Sequence, residues 1–250
     1  MIKLITIITK FIVVTLIALL FSSCKYSNDS DIFGKSITGS GNVTIEKRKI
    51  QGDFKSIEVS NAIELTIEQS DITEITVEAD DNLQKSITTK VENGVLIVAC
   101  DYSSFINVKL RKVTVKMPVI DGLQASSASS IQSINTLKGE NIQVKASSAS
   151  TINLSLEFDA ISCKSSSGSS VNVDGKALKL ETESSSGSTI NAKELFANDI
   201  ISDASSGSST SIHPILSLNA KASSGSSISY DVIPKTIQKD ASSGGSIDQD

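Results

Sequence analysis

The chain has 250 residues, with 23 Lys and Arg against 28 Asp and Glu, a formal charge of −5, one His, three Cys and no Trp. This balance excludes a phosphate-neutralising nucleic-acid binder, three cysteines do not make a disulfide framework, and His213 alone cannot supply a multi-histidine metal centre. Aromatic residues are only 4%, so any core is aliphatic, and the 46 serines, 34 of them after residue 125, belong either to a disordered linker or to a repeat.

Residues 1–23 read as a lipoprotein signal peptide. Lys3 and Lys10 charge its start, and the apolar run from Phe11 to Phe21 is too short and too N-terminal to favour a permanent membrane helix. The run ends at Ser22-Ser23-Cys24, which resembles a bacterial lipobox, although Phe21 stands where that pattern prefers Leu. Lipidation of Cys24 is therefore expected, with the membrane as a partner through the N-terminal lipid. An ordinary cleaved signal peptide and an uncleaved anchor are the alternatives. Residues 24–36 read as a flexible polar tether. The expected address is the cell envelope, at the outer membrane.

Residues 37–120 alternate apolar and polar residues, as in Ile57-Glu58-Val59, Ile63-Glu64-Leu65-Thr66-Ile67 and Val113-Thr114-Val115, and predict an N-terminal β region. Glu92-Asn93-Gly94-Val95 predicts a hairpin turn. Asp81-Asn82-Leu83-Gln84-Lys85 has room for one short turn. This region is expected to pack as sheets continuous with the C-terminal half, covering its first coil.

Residues 121–250 contain a repeat. Ser-Ser-(Ala/Gly)-Ser recurs with its small residue at 128, 149, 168, 187, 207 and 225, and a modified copy places Gly at 244. The intervals are 21, 19, 19, 20, 18 and 19 residues. Seven and five residues before each small residue lie rows such as Ile142, Ile161, Leu180 and Val144, Cys163, Thr182. Three residues after it come Ile131, Ile152, Val171 and Ile190, and nine after it Leu137, Phe158, Ala177, Phe196 and Leu216. These offsets are two period-2 strands joined by a small-residue bend. Units this short bury an apolar face only by stacking, so the fold class is all-β: a parallel, single-stranded β-helix or solenoid with the N-terminal β-sheet region packed on it. Right-handed coiling is expected from the crossover rule. The left-handed hexapeptide solenoid is disfavoured because this period does not divide into three sixes.

Outward rows supply register. Four residues before the small residue stand Lys164, Glu183, Asp203, Lys221 and Asp240, a ladder of mixed sign, and Asn153, Asn172 and Asn191 share one offset that suits a side-chain amide ladder. Cys100 and Cys163 read as two small buried thiols, with a disulfide between them as the alternative.

Gly39-Ser40-Gly41-Asn42-Val43, the stretch from Phe54 to Ile67, the stretch from Ile75 to Leu83, Val113-Thr114-Val115-Lys116-Met117-Pro118 and the Ser-Ser-Gly-Ser repeats together resemble the auto-transporter adhesin head GIN domain family over residues 37–250. The resemblance implies a β-helix-like fold in a Gram-negative lipoprotein or secreted protein. It implies no catalytic residues.

The residues themselves give little sign of chemistry. Only Glu183 and Asp203 stack two carboxylates in neighbouring coils, and lysines flank them. His213, before Pro214, reads as a loop residue, while Asp80-Asp81 and Asp248-Gln249-Asp250 read as solvated acids. No catalytic residue, metal ligand or cofactor is expected. The leading expectation is a lipid-anchored, non-enzymatic adhesin-like module for a glycan or a surface protein, without nucleic acid. A polysaccharide lyase or hydrolase built on Glu183 and Asp203 is one alternative. Self-assembly through an open edge near Ile247 is another.

Overall fold

The structure is a computed structural model and describes residues 35–250. The signal peptide, Cys24 and most of the tether lie outside the described residues. Among those described there is no helix, and the chain is a parallel β-solenoid of about seven turns with an N-terminal sheet.

Between one serine corner and the next the chain runs as strand, unbroken in the middle coils and split in two in the first and last. Before the corner, Leu137–Ala146, Thr151–Ser165, Ser170–Ser184, Thr189–Ala204 and Ser209–Ala222 pair in parallel through rows such as Ile142, Ile161, Leu180, Ile200 and Leu218. After the corner, Ile131, Ile152, Val171, Ile190, Thr210, Ile228 and Ile247 stack in one buried row. Identical offsets place identical rows on one line, at about 4.8 Å per coil. Burying these side chains against their neighbours is the main favourable contribution, since no single coil has a core of its own.

The corner explains the serines. Ser186 and Gly187 take φ of 53° and 68°, the left-handed pair of a type I′ turn, and Ser188 N–H closes the turn on Ser185 C=O at 3.2 Å. Glycine reaches this region at no steric cost; serine and alanine reach it at a cost. Adjacent corners are tied by a backbone ladder: Gly168 N–H donates to Ser186 C=O at 3.1 Å and Gly187 N–H to Ser206 C=O at 3.1 Å. The last serine of each motif turns inward. Ser150, Ser169, Ser188, Ser208 and Ser226 are buried, and each hydroxyl donates to a carbonyl of the preceding coil at 2.7–3.0 Å.

The interior is not wholly aliphatic. Thr182 Oγ1 donates to Ser202 Oγ at 2.8 Å, and Ser184 Oγ lies 2.9 Å from Ser208 Oγ and 2.8 Å from Thr210 Oγ1, all buried. Pairing these hydroxyls with one another removes the cost of desolvating them alone.

The N-terminal region joins the same stack out of chain order. Ser56–Val59 pairs in parallel with Gly122–Ala125 on one side and Val95–Cys100 on the other, and Glu64–Gln69 lies likewise between Ser130–Ser133 and Arg111–Met117. The coil at 56–69 therefore sits in the stack between the coil at 95–117 and the coil at 122–133. Its corner is Ser60-Asn61-Ala62-Ile63, with Asn61 and Ala62 at φ 62° and 57°, and Ala62 N–H extends the ladder to Ser127 C=O at 2.9 Å. Antiparallel strands close this end: Glu74–Asp80 on Arg111–Met117, Val43–Arg48 on Glu74–Asp80, and Ile87–Glu92 on Val95–Cys100 through the Asn93-Gly94 hairpin.

Asp80 holds this cap and is not the solvated acid expected. Its side chain is buried and accepts from Gly41 N–H at 2.9 Å, Lys109 N–H at 3.0 Å and Leu110 N–H at 3.2 Å. Burial pushes its pKa up, but these three amides and the Lys109 charge push it down further, leaving it below the ordinary carboxylate value. A Cβ at Gly39 would stand 2.5 Å from Asp80 Oδ2, so the Gly39-Ser40-Gly41 loop fits only because that position is bare.

At the other end, Lys239 occupies an inward offset but is exposed. Its Nζ donates to Ile247 C=O at 3.1 Å and lies 4.5 Å from the centre of the Tyr230 ring. An inward charge on an edge strand opposes pairing with another chain.

Candidate functional site

The coils expose long faces, and a groove of about 1080 Å³ opens on the face before the corners. Its floor is an outward row in register: Gln143, Ser162, Glu181, Ile201 and Asn219. Four coil steps make this row about 19 Å long. Beside it run Asn141, Ala160, Lys179, Asp199 and Ser217. The small side chains of Ala160 and Ser162 leave the depression, and Pro118–Asp121 and Lys138–Asn141 form its wall.

Gln69 fixes that wall. Its Nε2 donates to Pro118 C=O at 3.0 Å and Lys138 C=O at 2.9 Å, and its Oε1 accepts from Lys138 N–H at 2.6 Å. Asn135 exchanges two further bonds with the Gln69 backbone at 2.9 and 3.0 Å. The groove carries both signs of charge, with Lys55, Lys138 and Lys179 facing Asp121, Glu140, Glu181 and Asp199. Lys138 bonds Glu157 at 2.9 Å, and that hydrogen bond and charge lower the Glu157 pKa. The Asp199 carboxylate accepts from Ser217 Oγ at 2.6 Å. Such a trough suits an extended ligand touched by many side chains.

The acids singled out by the sequence lie elsewhere. Glu183 and Asp203 are register partners, as expected, and line a smaller groove of about 350 Å³. Glu183 is held by Lys164 Nζ at 2.5 Å, whose pKa that bond and charge raise. His213 is in the strand Ser209–Ala222 rather than a loop. Its Nδ1 is 3.0 Å from the Asp231 carboxylate, and its ring meets Phe196 edge-on at 4.5 Å. Among the described residues no serine hydroxyl bonds to His213. Cys100 and Cys163 are free and buried, and burial pushes the Cys163 thiol up to about 12.

One expected core row is corrected. Leu137, Phe158 and Ala177 are buried, but Phe196 is 42% and Leu216 36% exposed. One extra residue between Asn191 and Leu195, opposite Asn172 to Gly175, places Leu195 and Ala197 inward instead and turns Phe196 outward. Phe196, Leu178 and Ile215 consequently line a second groove of about 680 Å³. Of the expected amide ladder one rung forms, Asn172 Nδ2 donating to Asn153 Oδ1 at 2.9 Å, whereas Asn191 Oδ1 accepts from Lys193 N–H at 3.4 Å.

The family model for the putative auto-transporter adhesin, head GIN domain, matches residues 53–234. The chain belongs to this family. No curated protein matches it. The GIN domain is similar in fold to the crystal structure of a putative adhesin from Bacteroides fragilis, with TM-score 0.80 and 20% identity over 86% of this chain and 100% of that one. A putative lipid binding protein from Parabacteroides distasonis gives TM-score 0.71 and 20% identity over 86% and 100%. A putative adhesin from Parabacteroides merdae gives 0.69 and 18% over 86% and 99%. What the GIN domain shares with these three proteins is thus the stack itself.

Proposed function

We propose that this GIN-domain chain is a non-enzymatic, adhesin-like binding module of the cell envelope, lipid-anchored through Cys24 at the outer membrane. The observation that carries the binding role is the long trough floored by Gln143, Ser162, Glu181, Ile201 and Asn219. Its polar groups are spread along the coils instead of converging on one reacting point, which favours a glycan or surface protein held by many weak contacts. The family's adhesin description agrees with that role and with an envelope address.

Binding of the purified chain to a panel of cell-surface glycans and envelope proteins tests the role. Ile201→Asp with Asn219→Lys is expected to weaken capture at least tenfold without lowering the melting temperature. Capture that is unchanged in this variant overturns the trough as the site. Palmitate labelling tests the anchor: label is expected on the wild type and lost in Cys24→Ser, and a Cys24→Ser product that still carries it contradicts lipidation there.

A further inference from the structure

Midway between successive serine corners, register sets opposite charges side by side, with one exception. Lys138, Glu157 and Lys176 stack in three successive coils, and Lys179 stacks on Asp199, so each of these lysines has an acid as its neighbour. Glu140 and Asp159 break the pattern. They lie between the register pairs Gly139–Phe158 and Asn141–Ala160, so carboxylate stands beside carboxylate. Neither makes an ion pair among the described residues. Like charges set side by side on neighbouring strands are unfavourable. Next to this pair opens the groove of about 680 Å³, over the buried Phe158 and Ala177, where Leu178, Phe196 and Ile215 are 52%, 42% and 40% exposed. The Phe196 ring is braced edge-on by His213, which Asp231 holds at 3.0 Å. A large side chain already fixed in orientation loses little freedom when a partner covers it, and apolar side chains grouped over three coils mark a contact surface.

We propose that this groove and its acid pair form a docking site for a cationic, amphipathic polypeptide segment of another protein, in which Lys or Arg stands beside Leu or Phe. Charge complementarity selects the occupant. A cation placed over Glu140 and Asp159 replaces one like-charge contact with two opposite-charge ones. The lysines on the rim do not oppose it, because Glu157 lies between Lys138 and Lys176 and offsets them. The apolar side chain next to that cation then enters the groove against Leu178 and Phe196 and leaves water. Sugar hydroxyls find no match among Leu178, Phe196 and Ile215, and the same two acids repel anionic lipid head groups. A second copy of the chain, at formal charge −5, brings no excess of cations. The groove shares Lys138 and Gly139 with the trough but is not lined by Ile201 or Asn219, so the site goes beyond the trough and is occupied independently.

The test is fluorescence anisotropy of the full chain with three short dye-labelled peptides, alternating Lys with Leu, Lys with Ser and Glu with Leu. Binding is expected for the Lys/Leu peptide, about tenfold weaker for the Lys/Ser peptide and absent for the Glu/Leu peptide. Raising NaCl from about 0.05 to 0.5 M should weaken the Lys/Leu peptide severalfold, since part of its attraction is screened. Glu140→Gln with Asp159→Asn should lower its affinity about tenfold, and Phe196→Ser should do the same. Circular dichroism and melting check that both variants fold. The trough variant Ile201→Asp/Asn219→Lys should bind this peptide as the wild type does. No binding of any peptide, equal binding of all three, or unchanged binding by the Glu140/Asp159 and Phe196 variants overturns the site. A homodimer of the wild type that Phe196→Ser abolishes also overturns it, by assigning the groove to a second copy. Capture through the trough can survive each of these results, so the two readings fail separately.

Discussion

Ser188 Oγ lies 2.7 Å from the carbonyl oxygen of Ser165, one coil and 23 residues away, and also accepts from the N–H of Ser185 at 3.2 Å. One buried hydroxyl thus closes its own turn and ties it to the coil before. Ser188→Ala leaves a buried amide and carbonyl with one partner fewer, at a cost of about 1–3 kcal/mol. Urea unfolding should show that loss, whereas Ser186→Ala, at an exposed site, should change stability only by the smaller left-handed backbone difference. Equal effects at both positions contradict the clip.

Glycine matters for two different reasons along the stack. A Cβ at Gly187 meets nothing within 4 Å, so Gly187→Ala costs only the left-handed penalty, about 1 kcal/mol. At Gly175, φ is 119° and a Cβ would stand 2.0 Å from Leu156 O, so the backbone of the neighbouring coil must move. Gly175→Ala should cost about 3 kcal/mol or more, from strain and lost ladder bonds together. Thermal melts of the two variants check the order.

Much of this arrangement is legible in the amino-acid sequence, for a physical reason. Strand rows show as offsets because side chains alternate with period 2 and coils share one register, so Ile142, Ile161 and Leu180 are read directly as core. Phe196 escapes such a reading because a single inserted residue reverses inside and outside without altering composition. The coil at 56–69 is legible as strands, but not as a corner of the same kind, since Asn61 and Ile63 replace the serines there. Its place between 95–117 and 122–133 depends on pairings over long separations that no local pattern records. The trough is equally hidden, because it exists where Ala160 and Ser162 are small between taller neighbours.

Asp80 gives the cap a dependence on acid. Its folded pKa is depressed, so its contribution is present above the unfolded value of about 3.9 and is lost as pH falls through the lower folded value. Asp80→Asn should destabilise by about 2–3 kcal/mol at neutral pH, since a neutral amide cannot accept from Gly41, Lys109 and Leu110 as a carboxylate does. The gap from wild type should narrow below about pH 4. Denaturant midpoints at both pH values decide it, and a constant gap contradicts this role.

Burial of Cys163, with its thiol near 12, leaves almost no thiolate at neutral pH. Iodoacetamide should leave Cys163 unlabelled in the folded protein and label it fully in urea, read by peptide mass spectrometry. Fast labelling without denaturant contradicts its place between Val144 and Thr182 in the core row.

The stack itself is tested most directly by the distance between its ends. Ser127 and Ser243 occupy the same exposed turn position six coil steps apart, which at ~4.8 Å per step separates their backbones by about 29 Å. Spin labels at these two sites, measured by pulsed electron paramagnetic resonance, should give one narrow distribution near that distance, broadened only by the label arms. A broad distribution extending to much longer distances, as a serine-rich spacer of 116 intervening steps would give, contradicts the solenoid.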